Sequence, residues 1–172
     1  GPGNAPIDDW MQRHTGRPVD EGGALARTGR IDDAALAAML RHPFFDRLPP
    51  KSLDRQDFGF APVEGLSAAD GAATLAAFTA CTIARAMEYF PQAPMTWIIC
   101  GGGRHNDFLM DQLRARLPGN VLKAEGARWD GDALEAEGFA YLAVRAVKGL
   151  PLSLPTTTGV PVAMSGGELH RH

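Results

Sequence analysis

Residues 95–106 constrain this chain more than any other stretch. Met95-Thr96-Trp97-Ile98-Ile99-Cys100 is an apolar run rich in β-branched and aromatic residues, set between Pro94 and Gly101. It reads as a strand buried on both faces. The run passes through Gly101-Gly102-Gly103 and Arg104-His105 to Asn106, a good cap for a helix whose Leu109, Leu113 and Leu117 share one stripe. Upstream, Ser67 with Asp70 forms a capping-box pattern ahead of Leu75, Phe78, Thr82, Ile83, Ala86, Met87 and Phe90. That predicts a helix of about six turns, stopped by Pro91. Downstream, Val121-Leu122-Lys123-Ala124 reads as a second strand. A last helix opens at Asp130 or Asp132 and carries Leu134, Tyr141, Leu142 and Ala146 to a C-cap at Gly149. Helix, strand, glycine turn, helix, strand and helix in that order specify an α/β arrangement with parallel strands.

The first 65 residues are broken by turn signals. Ile7, Trp10 and Met11 fall at helical spacing before Gly16, and Asp32 or Asp33 can cap a helix with Leu36, Met39 and Leu40 that stops before Pro43. The chain thus divides into an irregular, helical segment at 1–65, the α/β core at 66–150 and a loop-like tail at 151–172. Two parallel strands are few, since sheets usually hold about 4–6. Either the first half contributes strands of its own, or a segment outside this sequence completes the sheet.

At 172 residues the chain is one domain's worth of protein. Its 17 basic and 20 acidic side chains give a net charge of -3, which argues against nucleic acid as a partner. The sequence has no run of 18 apolar residues and so predicts no membrane span. Cys81 and Cys100 form no CxxC pair and read as small buried hydrophobes, in keeping with a reducing, cytoplasmic setting.

The glycine turn has the strongest chemical potential. Glycines let backbone approach a ligand closely, and a helix N-terminus offers free N–H groups to an anion. The pattern is neither GxGxxG nor GxxxxGK[ST], so nucleotide contact competes with a tight turn serving only packing. His105 lacks a nucleophile or acid at diagnostic spacing and reads as an exposed loop histidine. His14, His42, His170 and His172 show no metal-ligand spacing, so no metal site is expected. Asp130, Asp132, Glu135 and Glu137 crowd the start of the last helix, either to suit its dipole or to place a carboxylate at a reacting centre. Lys51 is either a solvated loop lysine or an anion ligand.

Taken together, these pieces resemble the C-terminal half of anhydro-N-acetylmuramic acid kinases. The matching motifs run in order along the chain: Gly1-Pro2-Gly3-Asn4 with Ile7-Asp8 and Trp10; Asp20 with Gly22-Gly23 and Ala26; Pro49-Pro50-Lys51-Ser52 with Arg55 and Phe58; Cys100-Gly101-Gly102-Gly103 with Asn106; Glu135-Ala136 with Phe139-Ala140 and Leu142-Ala143; and Pro155 with Thr158-Gly159. The resemblance implies the sugar kinase, Hsp70 and actin superfamily, here an RNase H-like (actin-like ATPase) domain, mostly helical, with a short and incomplete parallel sheet. It implies ATP and Mg2+ as cofactors and 1,6-anhydro-N-acetylmuramic acid as substrate. That sugar is hydrolysed and phosphorylated to N-acetylmuramic acid 6-phosphate in cytoplasmic cell-wall recycling, by a protein that is a homodimer at full length.

Carried over by position, Gly101, Gly102, Gly103 and Asn106 would meet the nucleotide. Gly1, Gly3 and Asn4 would lie at the sugar, and Glu135 would support the active centre. The family's Asp-Thr pair, whose aspartate resembles the base for the attacking water, precedes Gly-Pro-Gly-Asn, and this sequence starts at Gly1. The expectation is therefore a fragment, inactive alone, that lacks an N-terminal domain. Leu53-Asp54 also stand where the family usually has Thr-Gly before its arginine, so the roles of Lys51 and Ser52 stay open. Two other classes compete: a non-catalytic nucleotide-sensing module, and a structural or docking domain with an ordinary turn.

Overall fold

The computed structural model describes residues 1–170, so His172 lies outside the described residues. The helices are α1 (Ala5–Thr15), α2 (Ala24–Thr28), α3 (Asp33–Leu40), α4 (Ala68–Arg85), α5 (Asp107–Arg114), α6 (Leu134–Val147) and α7 (Pro155–Thr158). Two strands, β1 (Thr96–Ile99) and β2 (Asn120–Lys123), pair in parallel with Trp97 opposite Val121 and Ile98 opposite Leu122. The result is mostly helical with a short two-stranded parallel sheet.

The 18-residue α4 is the axis of the molecule, with α1, α2, α3 and α5 packed around it. Ser67 caps it, its Oγ accepting from the Asp70 amide at 3.1 Å. Buried Ala72, Ala73, Ala76, Ala77 and Ala80 keep its surface low, so neighbouring helices approach closely. Leu75 and Phe78 fill the space between them, each contributing about 1.5–3 kcal/mol by leaving water. The fifth turn ends at Arg85, and a tighter 3-10 turn over Ala86–Tyr89 carries the chain to Pro91. α1 stops where expected, with Gly16 at φ 71°. Asp32 caps α3 by accepting from the Ala35 amide at 2.8 Å.

Three expectations change. The strand expected to be buried on both faces is only partly buried, with Thr96 exposed and Trp97, Ile98 and Ile99 half-buried. Phe139, Tyr141, Val144 and Val147 of α6 are all more than half exposed. Cys100 is exposed at the end of β1, and Cys81 is only partly covered. The tail is not merely loop, since α7 and an antiparallel bridge between Ser153 and Met164 order it. Among the described residues the first half adds no strand, and no helix is long and apolar enough to cross a membrane.

Candidate functional site

The chain leaves β1 at Gly101, whose φ of 71° and ψ of 178° suit glycine alone. It does not run straight into α5. A 3-10 turn over Gly102–His105 comes first, and Asn106 then caps α5 by accepting from the Leu109 amide at 2.9 Å. Gly101 and Gly102 are exposed, and a side chain on either would meet no atom within 4 Å. The amides of Gly102 and Gly103 donate to no acceptor among the described residues. This turn stands at the carboxyl end of β1, the end where open α/β sheets hold ligands.

The N-terminal segment meets it there. A Cβ on Gly103 would lie 3.2 Å from the Cβ of Asn4, although the two residues are far apart in sequence. Thr79 of α4 anchors the segment by donating from its hydroxyl to the Gly3 carbonyl at 2.8 Å. A Cβ on Gly1 would lie 3.2 Å from the Thr82 hydroxyl oxygen. Asn4 donates from Nδ2 to Asp8 at 2.7 Å, while its Oδ1 is buried without a hydrogen-bond partner. Such an atom carries a desolvation cost unless a ligand or neighbour satisfies it. The structure thus brings Asn4 and Gly3 to Gly103 and the exposed Gly101-Gly102 pair.

Asn106 is placed differently. It is buried, and its Oδ1 is committed to the α5 cap. Gly23 presses on it so closely that any side chain there would collide with Asn106 and Phe108. Asp20 sets that approach, its two carboxylate oxygens accepting from Leu25 at 2.8 Å and Ala26 at 2.9 Å. The Asp20, Gly22-Gly23 and Ala26 motif therefore seats the start of α2 against the start of α5. Glu135 is exposed on the first turn of α6 and has no partner among the described residues. No contact ties it to the glycine turn.

Lys51 is half-buried, and its amine is engaged within the protein. Its Nζ donates to the carbonyls of Phe45 at 3.1 Å and Arg47 at 2.7 Å, and to the Tyr89 hydroxyl at 3.4 Å. Pro49 and Pro50 lead into this anchorage, and Ser52 stays exposed.

The sequence reading missed Arg104. It is 1% exposed, and its Nε lies 2.8 Å from Glu125. One terminal nitrogen reaches Asp132 at 2.8 Å and the Gly101 carbonyl at 3.0 Å. The carboxylates of Asp132 and Glu125 raise the guanidinium above its ordinary value. Asp132 is held below the usual carboxylate range chiefly by Arg104. Glu125 is lowered by a hydrogen bond from its own backbone and then by Arg104. Of the acids crowding the start of α6, Asp132 thus pairs with Arg104, and Asp130 caps the turn by accepting from Asp132 and Ala133 amides. His105 is exposed as expected, 3.7 Å from Asp132. A single arginine inside a glycine turn has no diagnostic spacing, so only its buried surroundings reveal it.

The whole described chain matches one family. The model for anhydro-N-acetylmuramic acid kinase aligns with residues 1–171. The anhydro-N-acetylmuramic acid kinase of Rhodospirillum rubrum is 56% identical over 167 residues, covering 97% of this chain and 44% of that protein. That of Caulobacter vibrioides is 55% identical over 170 residues, covering 98% of this chain and 46% of its own length. That of Acidiphilium cryptum is 53% identical over 174 residues, with 99% and 48% covered. The chain spans about half the length of the curated relatives it matches.

Proposed function

The chain belongs to the anhydro-N-acetylmuramic acid kinase family, and on that premise we propose that it forms the nucleotide-facing, RNase H-like part of a cytoplasmic kinase acting on 1,6-anhydro-N-acetylmuramic acid. The observation that carries the reading is the exposed Gly101–Gly103 turn, with two unengaged amides at the end of β1 and Asn4 beside it. In the reaction, water adds to the anomeric carbon and the bond from that carbon to O6 breaks. O6 takes the γ-phosphoryl of ATP, ADP leaves, and a base outside the assigned residues removes the water proton. The products are N-acetylmuramic acid 6-phosphate and ADP.

The roles of this chain's residues are positional. Gly102 and Gly103 donate amide hydrogens to phosphate oxygens, a contact that side chains at either position would impede. The unpartnered Asn4 Oδ1 accepts from a hydroxyl or amide of the sugar, with Gly1 and Gly3 shaping the wall around it. Asn106 serves the nucleotide indirectly, by fixing where α5 begins. Glu135 faces the cleft that the rest of the protein closes, near the sugar. Among the described residues no group of three or more His, Cys, Asp or Glu side chains is arranged to hold a metal ion. Mg2+ accompanies ATP in this reading. A homodimer at full length is part of the same reading. Relatives named as kinases favour it over a non-catalytic nucleotide sensor.

Calorimetric titration of the natural full-length protein with ADP tests the placement. Saturable heat is expected, and Gly102→Asp, which meets no neighbouring atom but sets a negative charge at the turn, should abolish it. Equal ADP affinity in both proteins would contradict the assignment.

A further inference from the structure

We propose that Arg104 is a positioning residue for the phosphoryl donor, aiming the Gly102 amide at the phosphates and shielding them from two nearby carboxylates. The inference rests on the reading that the glycine turn meets the nucleotide. It begins with the peptide unit between Gly101 and Gly102. In a planar trans peptide the carbonyl and the following N–H point in opposite directions. The Gly101 carbonyl is held from inside the protein by the Arg104 side chain at 3.0 Å and by the Arg104 amide at 3.2 Å. The Gly102 N–H is therefore turned outward, where no acceptor among the described residues meets it.

The same guanidinium reaches Glu125, just after β2, and Asp132, just before α6. Arg104 thus joins three loops: the turn after β1, the turn after β2 and the approach to α6. Gly131 completes the seat, because a Cβ there would stand 2.7 Å from the guanidinium carbon, and its carbonyl accepts from the Gly101 amide at 3.4 Å. Arg104 is buried but its carboxylate partners are 53% and 76% exposed, so these pairs contribute little to stability as ion pairs alone. A guanidinium adds a rigid fork of directed donors, which an apolar side chain or a lysine lacks. Its positive charge also offsets part of the repulsion that the two carboxylates would exert on an incoming polyphosphate.

The test uses the natural full-length protein and compares KM for ATP, KM for the anhydro sugar and thermal midpoint. Arg104→Lys and Arg104→Met should raise KM for ATP by about tenfold or more and leave KM for the sugar within about threefold. The triple variant Arg104→Met with Glu125→Gln and Asp132→Asn leaves no charge unpaired, so it guards against misfolding of the single variant. It should regain the thermal midpoint yet keep a raised KM for ATP, because the Gly101 carbonyl keeps the backbone amide of residue 104 but loses the guanidinium that also fixes it. Wild-type KM for ATP in a folded triple variant, or in Arg104→Lys, overturns the proposal. So does an equal rise in both KM values. Gly102→Asp separates the two levels of the argument. If it leaves KM for ATP unchanged, the nucleotide reading itself fails. If it raises KM while the Arg104 variants match wild type, only the role of Arg104 fails.

Discussion

Gly71 faces the indole of Trp10 so closely that a Cβ would collide with the ring. The indole cannot swing aside freely, because its Nε1 donates to the Ala68 carbonyl at 2.8 Å and it is fully buried. Alanine would gain about 1 kcal/mol over glycine in an open helix. Overpacking here costs about 1–3 kcal/mol, so Gly71→Ala should lower stability in urea unfolding rather than raise it. A gain of stability would show that the ring yields. Asn106 offers a second test, because its two expected roles separate. Aspartate caps helices as well as asparagine, but Asn106 is buried, so Asn106→Asp should keep the cap and lose only about 1–3 kcal/mol for the buried charge. Its added charge beside the turn should weaken ADP binding. A larger loss of stability would mean that the carboxamide does more than cap α5. The caps at Asp32, Ser67 and Asn106 were legible because one side chain and one spacing define them. Arg104, Gly131 and the seat of Lys51 were not, since their partners come from loops that only the fold brings together.

At the scale of elements, the long α4, the two strands and their parallel order could be read from periodicity and turn residues. Burial could not, because it depends on what covers each face. α6 shows this: its sequence carries an apolar stripe, yet Phe139 is 64% and Val147 67% exposed. Phe139→Lys and Val147→Lys should therefore leave the thermal stability of this chain within about 0.5 kcal/mol. A drop of several kcal/mol would mean that the helix packs more tightly than the structure has it. Ion pairs between elements make a separate prediction about pH. Asp111 is lowered chiefly by Arg27, which ties α5 to α2, and Asp107 by Lys123, which ties α5 to β2. Asp70 is lowered by the Arg30 amide and then by Ser67. A carboxyl lowered in the folded state contributes stability above its unfolded value and loses it as pH falls through the folded one. Stability set by these groups should stay flat from neutral pH to about 5 and fall below about 4, as urea midpoints across that range would show. A midpoint that rises as pH drops below 4 would contradict these pairings.

For the whole molecule, the relatives are about twice as long as this chain, and phosphoryl transfer works by positioning and charge stabilisation around the donor. In the proposed reading, the glycine turn, Asn4 and Arg104 supply one side of that arrangement. The family could be recognised from motifs scattered in order along the sequence. Their physical meaning could not, since some of them, such as Asp20 with Gly22-Gly23, seat one helix on another. The most direct test of the central claim is product formation by the natural full-length protein given ATP and 1,6-anhydro-N-acetylmuramic acid. Stoichiometric N-acetylmuramic acid 6-phosphate and ADP are predicted, with turnover lost in Gly102→Asp. Absence of that product from folded wild-type protein, or undiminished turnover in Gly102→Asp, would contradict the account.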